Sequence, residues 1–120
     1  MIEVGEYVRT KNQGIFIVSH INPDIVVNDF SRVCLCQNEK VAFGSIEEIE
    51  KLKHRKDIKD LLEVGDYVNG KLIHSICGNP KNGELMIIYG NGKHFDNKHI
   101  KSIVTHEQFE SIEYKVEENK

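Results

Sequence analysis

Three cysteines and six histidines are the side chains of this 120-residue chain best suited to hold a metal or move a proton. Cys34 and Cys36, with Cys77 and one of His74, His94 or His99, would offer the thiolate and imidazole donors that tetrahedral zinc takes. The spacing favours another reading. On a strand, Cys34 and Cys36 share one face while Val33 and Leu35 take the other, as small buried hydrophobes do in a sheet, so no metal is expected. Imidazole is also the commonest general base near neutral pH, but no histidine stands in a recognisable pattern with a nucleophile. The carboxylates form no paired ligand motif. The chain is therefore expected to be no enzyme and to use no cofactor.

Binding is the better use of these residues. A small anionic ligand such as a cyclic nucleotide needs cationic donors for phosphate and an aromatic face for its base. Arg9 and Lys11, with Lys93, His94, Phe95 and Asn97 after a turn at Asn91 and Gly92, supply those types and form the candidate ligand-binding set. The segment "GNPKNG", Gly78 to Gly83, has the glycine separation of a phosphate-binding loop, but Glu84 stands where the lysine belongs. A carboxylate there repels phosphate, so the segment reads as a hairpin turn. The basic stretch "KLKHRK", residues 51–56, with Lys59, is interleaved with Glu47, Glu48, Glu50, Asp57 and Asp60. That is the pattern of a solvated surface, with an SH3-like nucleic-acid accessory module as the alternative. Sixteen basic against nineteen acidic residues, a net charge of -3, provide no global attraction to nucleic acid.

The elements that position these side chains are written twice. "IEVGEYV", residues 2–8, recurs as "LEVGDYV", residues 62–68, and a phrase repeated at that distance marks a duplicated structural unit. Around it, β-branched and aromatic runs separated by turn residues predict strands in "EYVRT", "IFIVSHI", "IVV" (25–27), "RVCLC" and "KVAF", and again in "DYVNG", "KLIHSIC" and "ELMIIYGNGKHFDN". Asn82 with Gly83, and Asn91 with Gly92, carry the signal of two-residue type I′ hairpins. Ser45 followed by Glu48 is a candidate capping box for a helix in "SIEEIEKL", with a strand as the alternative there. Ile58, Leu61 and Leu62 define one side of a short connecting helix, and Thr105 with Gln108 caps a terminal helix whose Phe109 and Ile112 are expected to face inward. The expected fold is mainly β with short α-helices: two tandem SH3-like small β-barrels, or one antiparallel sheet fused from both halves. The units are residues 1–54, a helical connector at 55–62, and residues 63–116, followed by a tail at 117–120.

The segments "IEVGEYVRTKNQG", "KHRKDIKDLLEVGDYVNGKLI" and "HIKSIVTHEQFESIEYKV" resemble those of a short protein family that recurs in bacteriophages and prophages of Gram-positive bacteria. The resemblance covers about half of the chain and implies a setting rather than a mechanism. A small phage protein with a fixed frame and divergent surface stretches is similar to the anti-defence proteins of phages. The expectation is thus a non-enzymatic protein that antagonises host defence, either by sequestering a nucleotide immune signal or by binding a host defence protein. The acidic start and the shortness of the apolar runs "GIFIV" and "LMIIY" lead to an expected place in the host cytoplasm with no membrane partner. Open sheet edges make a homo-oligomer an expected state.

Overall fold

The computed structural model describes residues 2–22, 33–78 and 83–113. In the first half, β1 (Tyr7–Arg9), β2 (Ile15–Ile21), β3 (Val33–Gln37), β4 (Lys40–Gly44), helix α1 (Ile46–Glu50) and β5 (Lys53–Arg55) follow one another. A 3-10 turn (Ile58–Leu61) leads to β6 (Tyr67–Val68), β7 (Lys71–Gly78), β8 (Leu85–Tyr89), β9 (Lys93–Asp96), a second 3-10 turn (Asn97–His99), β10 (Ile103–Val104) and helix α2 (His106–Ile112). The strands make two antiparallel five-stranded sheets, ordered β4-β3-β2-β1-β5 and β10-β6-β7-β8-β9. Read from opposite ends these are one topology. In each, the first strand lies between the second and the fifth, and a short helical segment separates the fourth from the fifth.

The repeated phrase has the same physical task in both halves. Tyr7 pairs with Ile17 and Tyr67 with Leu72, and the next strand slips register at equivalent points, between Val18 and His20 and between Ile73 and Ser75. The acidic residue closes the turn onto the strand: the Glu3 N–H donates to the Glu6 carboxylate at 2.7 Å, and the Glu63 N–H to Asp66 at 2.9 Å. The glycine before it adopts φ of 95° at Gly5 and 99° at Gly65, and its N–H reaches Val18 O or Ile73 O across the sheet. The valine that ends the phrase, Val8 or Val68, is fully buried. Nothing stands within 4 Å of a Cβ built on Gly5, so any cost there is conformational. Gly5→Ala is expected to lose about 1–2 kcal/mol in urea unfolding from the left-handed backbone alone.

Glu6 also receives His54 Nδ1 at 3.1 Å, which ties β5 to the phrase. Burial opposes ionisation of Glu6, but the Glu3 N–H and the His54 contact outweigh it and hold the carboxyl below its ordinary value of 4.5. A carboxyl depressed on folding stabilises the fold fully above its unfolded pKa, and that contribution is lost as pH falls through the folded value. Glu6→Gln is therefore expected to be less stable than wild type at neutral pH and to converge with it as pH falls below about 4.5, which flattens the acid side of the stability profile, as followed by urea midpoints.

Two apolar clusters sit behind the sheets. Ile2, Val8, Phe16, Val18, Val33, Leu35 and Ile49 fill the first. Leu62, Val68, Ile73 and Ile87 fill the second, with Tyr89, Phe95, Ile100 and Ile103 packed around them. The caps appear as expected: Ser45 accepts from the Glu48 N–H and Thr105 from the Gln108 N–H, both at 3.1 Å.

Several expectations change. Cys34 and Cys36 do share a face, but it is the half-exposed outer face, and Val33 and Leu35 are the core side. The type I′ turn lies at Asn69 and Gly70, both with positive φ (53° and 77°), between the paired Val68 and Lys71. Gly90, Asn91 and Gly92 instead form a three-residue loop between the paired Tyr89 and Lys93, with positive φ at the glycines. The connecting helix is a single 3-10 turn, and β5 and β10 are strands where the sequence carried charge or too few residues to signal one. Neither Phe109 nor Ile112 is buried: Ile112 points outward, 73% exposed, and Phe109, 37% exposed, lies over Tyr67 with ring centroids 4.9 Å apart. The expected strand at 25–27, the turn residue Asn82 and the tail 117–120 lie outside the described residues.

Candidate functional site

The most densely organised polar site joins the two halves. Arg9, the last residue of β1, is 5% exposed, and each of its five N–H groups has an acceptor. Nη1 donates to Leu61 O and Asp66 Oδ2 and Nη2 to Asp66 Oδ1, all at 2.7 Å. Nε and Nη2 also grip the Glu107 carboxylate from two sides, at 3.1 and 2.9 Å. Asp66 is completely buried and accepts two further backbone N–H groups, those of Glu63 and His106, each at 2.9 Å. Burial opposes the ionised form of both partners. It is outweighed, so Arg9 is held above its ordinary value by Asp66 and Glu107, and Asp66 below its own by Arg9 and the two N–H groups.

The outer rim of this junction carries a second arrangement. His106 Nε2 lies 3.1 Å from Glu63 Oε1 and 2.7 Å from Glu107 Oε1, and Glu63 Oε2 lies 3.4 Å from Arg9 Nε. All three side chains are half-buried. The first turn of α2 holds His106 and Glu107 together, and the Asp66 carboxylate fixes that turn by accepting the His106 N–H. Helix α2 then crosses to the first unit, where the Ser111 hydroxyl donates to Asn12 O at 3.1 Å.

The six residues expected to bind a ligand are distributed rather than assembled. Arg9 has no N–H left to offer a ligand, because the junction uses them all. Lys11 is exposed in the loop 10–14 of the first unit, and the other four lie on the second. Lys93 borders a groove with Tyr67, Lys71, Tyr89 and Gly90. His94 opens into a cleft of about 670 Å³ with Cys77, Met86, Asp96 and His99. Phe95 packs on the second core and against Tyr89, with ring centroids 5.4 Å apart. Asn97 uses its side-chain oxygen to accept the Leu85 N–H at 2.9 Å. The cleft also carries Glu84 and, among its described lining residues, no lysine or arginine to hold a phosphate. Its carboxylates have partners: Lys98 reaches Glu84 at 2.9 Å, and His99 reaches Asp96 at 2.8 Å.

The basic stretch is likewise engaged with acids. Lys51 pairs with Glu47, Lys56 with Glu3 and Lys59 with Asp57, at 3.5 to 3.6 Å. Among the described residues, the least satisfied surface is apolar. Strand β4 is an edge of the first sheet, and its Val41 and Phe43 are 57% and 63% exposed. They stand opposite Cys36 and Cys34, and Ile17 continues the row beyond Cys36. The corresponding edge of the second sheet, β9, presents Lys93, His94 and Asp96 instead, the charged kind of edge that discourages strand addition.

The fold and these surfaces define a mainly β protein built from two copies of one five-stranded antiparallel unit, with a buried ionic junction between them. Compared with known proteins, the chain matches no family model, no curated protein and no solved structure. No helix among the described residues is long and apolar enough to cross a membrane.

Proposed function

We propose that this chain is a non-enzymatic binding protein that recognises another protein through the outer face and open edge of β4. The observation that carries the reading is the contrast between two equivalent edges: charged at β9, apolar and exposed at β4. An extended segment of a partner can add to such an edge by main-chain hydrogen bonds, with Val41 and Phe43 selecting alternate side chains. The resemblance to phage proteins makes a host defence protein in the host cytoplasm the proposed target. Sequestration of a nucleotide signal has less support, because Arg9 is engaged internally and the cleft at His94 has no lysine or arginine among its described lining residues. Nucleic-acid binding has less again, since lysines of the 51–59 stretch pair with neighbouring acids. We read each unit as an SH3-like barrel, supported by the strand order and by the helical turn before the fifth strand.

The test compares wild-type protein with Phe43→Asp in co-purification from host lysate, with proteins and small molecules both identified by mass spectrometry. A defence protein retained by the wild type and lost by at least about tenfold with Phe43→Asp, roughly the 1.4 kcal/mol of one buried contact, is the expected result. A nucleotide retained equally by both would replace protein binding with signal capture.

A further inference from the structure

At the rim of the junction, Glu63, His106 and Glu107 each offer one donor atom within 4.8 Å of the others, with His106 Nε2 3.1 Å from Glu63 Oε1 and 2.7 Å from Glu107 Oε1. We propose that they form a binding site for a divalent transition-metal cation of the zinc type. The chemistry of the donors is the first reason. One imidazole nitrogen and two carboxylate oxygens are a ligand set that zinc accepts, with a fourth position open to water. Neutral imidazole suits borderline cations such as zinc rather than magnesium or calcium, which prefer oxygen alone.

Charge is the second reason. Glu63, Asp66 and Glu107 bring three negative charges to this spot, and Arg9 returns one positive charge, so the cluster holds two charges of negative excess when His106 is neutral. A divalent cation cancels that excess, whereas a proton on His106 cancels half of it. The third reason lies outside the donors. Ligating carboxylates are commonly oriented by hydrogen bonds from a second layer of groups. Here Arg9 holds Glu107 through both oxygens, and Asp66 fixes the backbone of His106. The donors are half-buried, which leaves a route for an ion from solvent. Tetrahedral geometry at bond lengths of about 2.0–2.2 Å needs donors roughly 3.3–3.5 Å apart, so His106 Nε2, now 2.7 Å from Glu107 and 3.1 Å from Glu63, has to draw back by about 0.6–0.8 Å from the first and about 0.2–0.4 Å from the second, within reach of side-chain rotation.

The site would close the second unit onto its own terminal helix, because Glu63 precedes β6 and the other two donors begin α2. Zinc titration of chelator-treated protein, read by calorimetry and by thermal unfolding, tests the assignment. The expected result is one ion per chain and a rise in unfolding temperature. His106→Ala and Glu63→Gln should each weaken binding by more than about tenfold, the loss that removing even an outer-layer partner brings. His99→Ala, in the separate cleft, should leave it unchanged. X-ray absorption of the zinc-loaded protein should show a nitrogen and oxygen shell that includes an imidazole and no sulfur. Circular dichroism establishes that each variant is folded, and Glu63→Gln serves where His106→Ala is not. No saturable binding, a sulfur ligand from a cysteine, or an affinity unchanged in both variants would each overturn the proposal.

Discussion

Replacing Arg9 with methionine is expected to lower the unfolding free energy by about 3–5 kcal/mol, the cost of breaking a buried ion pair from one side. Methionine keeps most of the aliphatic stem, so the loss is not chiefly one of volume. It strands Asp66, whose carboxylate is 0% exposed and would keep only the Glu63 and His106 N–H groups. It also leaves Leu61 O without its 2.7 Å donor at a site closed to water. Glu107 is nearer the surface and can be rehydrated, so most of the penalty belongs to Asp66. Arg9→Lys should recover little, since one ammonium cannot supply five N–H groups in a planar fork. Adding Asp66→Asn to Arg9→Met removes the stranded charge, and the double variant should be more stable than the sum of the two singles by over about 1 kcal/mol. Urea unfolding of the four proteins measures this coupling. Additive losses would mean that Arg9 contributes by packing alone.

The junction also shows where sequence reading stops. The duplicated phrase makes the repeated frame legible, because the glycine conformation, the acidic turn closure and the buried valine each follow from one residue type at one position. Val8 and Val68 then anchor equivalent strands. Arg9 is different: it occupies the position that Asn69 holds in the second copy, so no repetition announces it, and its partners lie 57 and 98 residues away. A basic residue after a strand start looks the same whether it faces solvent or a buried carboxylate. The cluster of Glu63, His106 and Glu107 was hidden for the same reason, since its three members come from two segments that only the fold brings together. Asp66 is legible as the counterpart of Glu6 in the repeat, but the repeat does not reveal that it meets an arginine.

Alternation along strands, by contrast, depends on nearest neighbours and is read well once the register is known. The open edge at β4 illustrates both sides of this. "KVAF" is legible as a strand, but that it lies at an edge follows from the sheet order. Exposure of Phe43 therefore could not be distinguished in the sequence from burial of Phe16, although both sit in runs of similar composition. The acidic turns and valines thus build the frame twice, and departures from the repeat, at Arg9, Val41 and Phe43, give the halves different surfaces.

The same alternation yields a large stability effect in the second unit. Ile87 of β8 is fully buried and pairs with Ile76 and Phe95, whereas Met86 beside it is 45% exposed on the other face. Ile87→Ala is expected to cost about 2–5 kcal/mol, from lost transfer energy and from the cavity left behind. Met86→Ala should stay within about 1 kcal/mol, because its side chain already meets water. The upper part of the range applies to Ile87 because the second cluster rests on four buried side chains, Leu62, Val68, Ile73 and Ile87, where the first has seven to share the load. Relaxation around a void requires neighbours that can move into it, and Val68 is held by strand pairing on both sides while Ile73 is held by its pairing with Tyr89 and by its N–H donating to Asp66 O. Chemical unfolding of both variants decides the matter: equal losses at positions 86 and 87 would mean that β8 does not present alternate faces to core and solvent, and the register that places His94 and Asp96 on the outer face would fall with it.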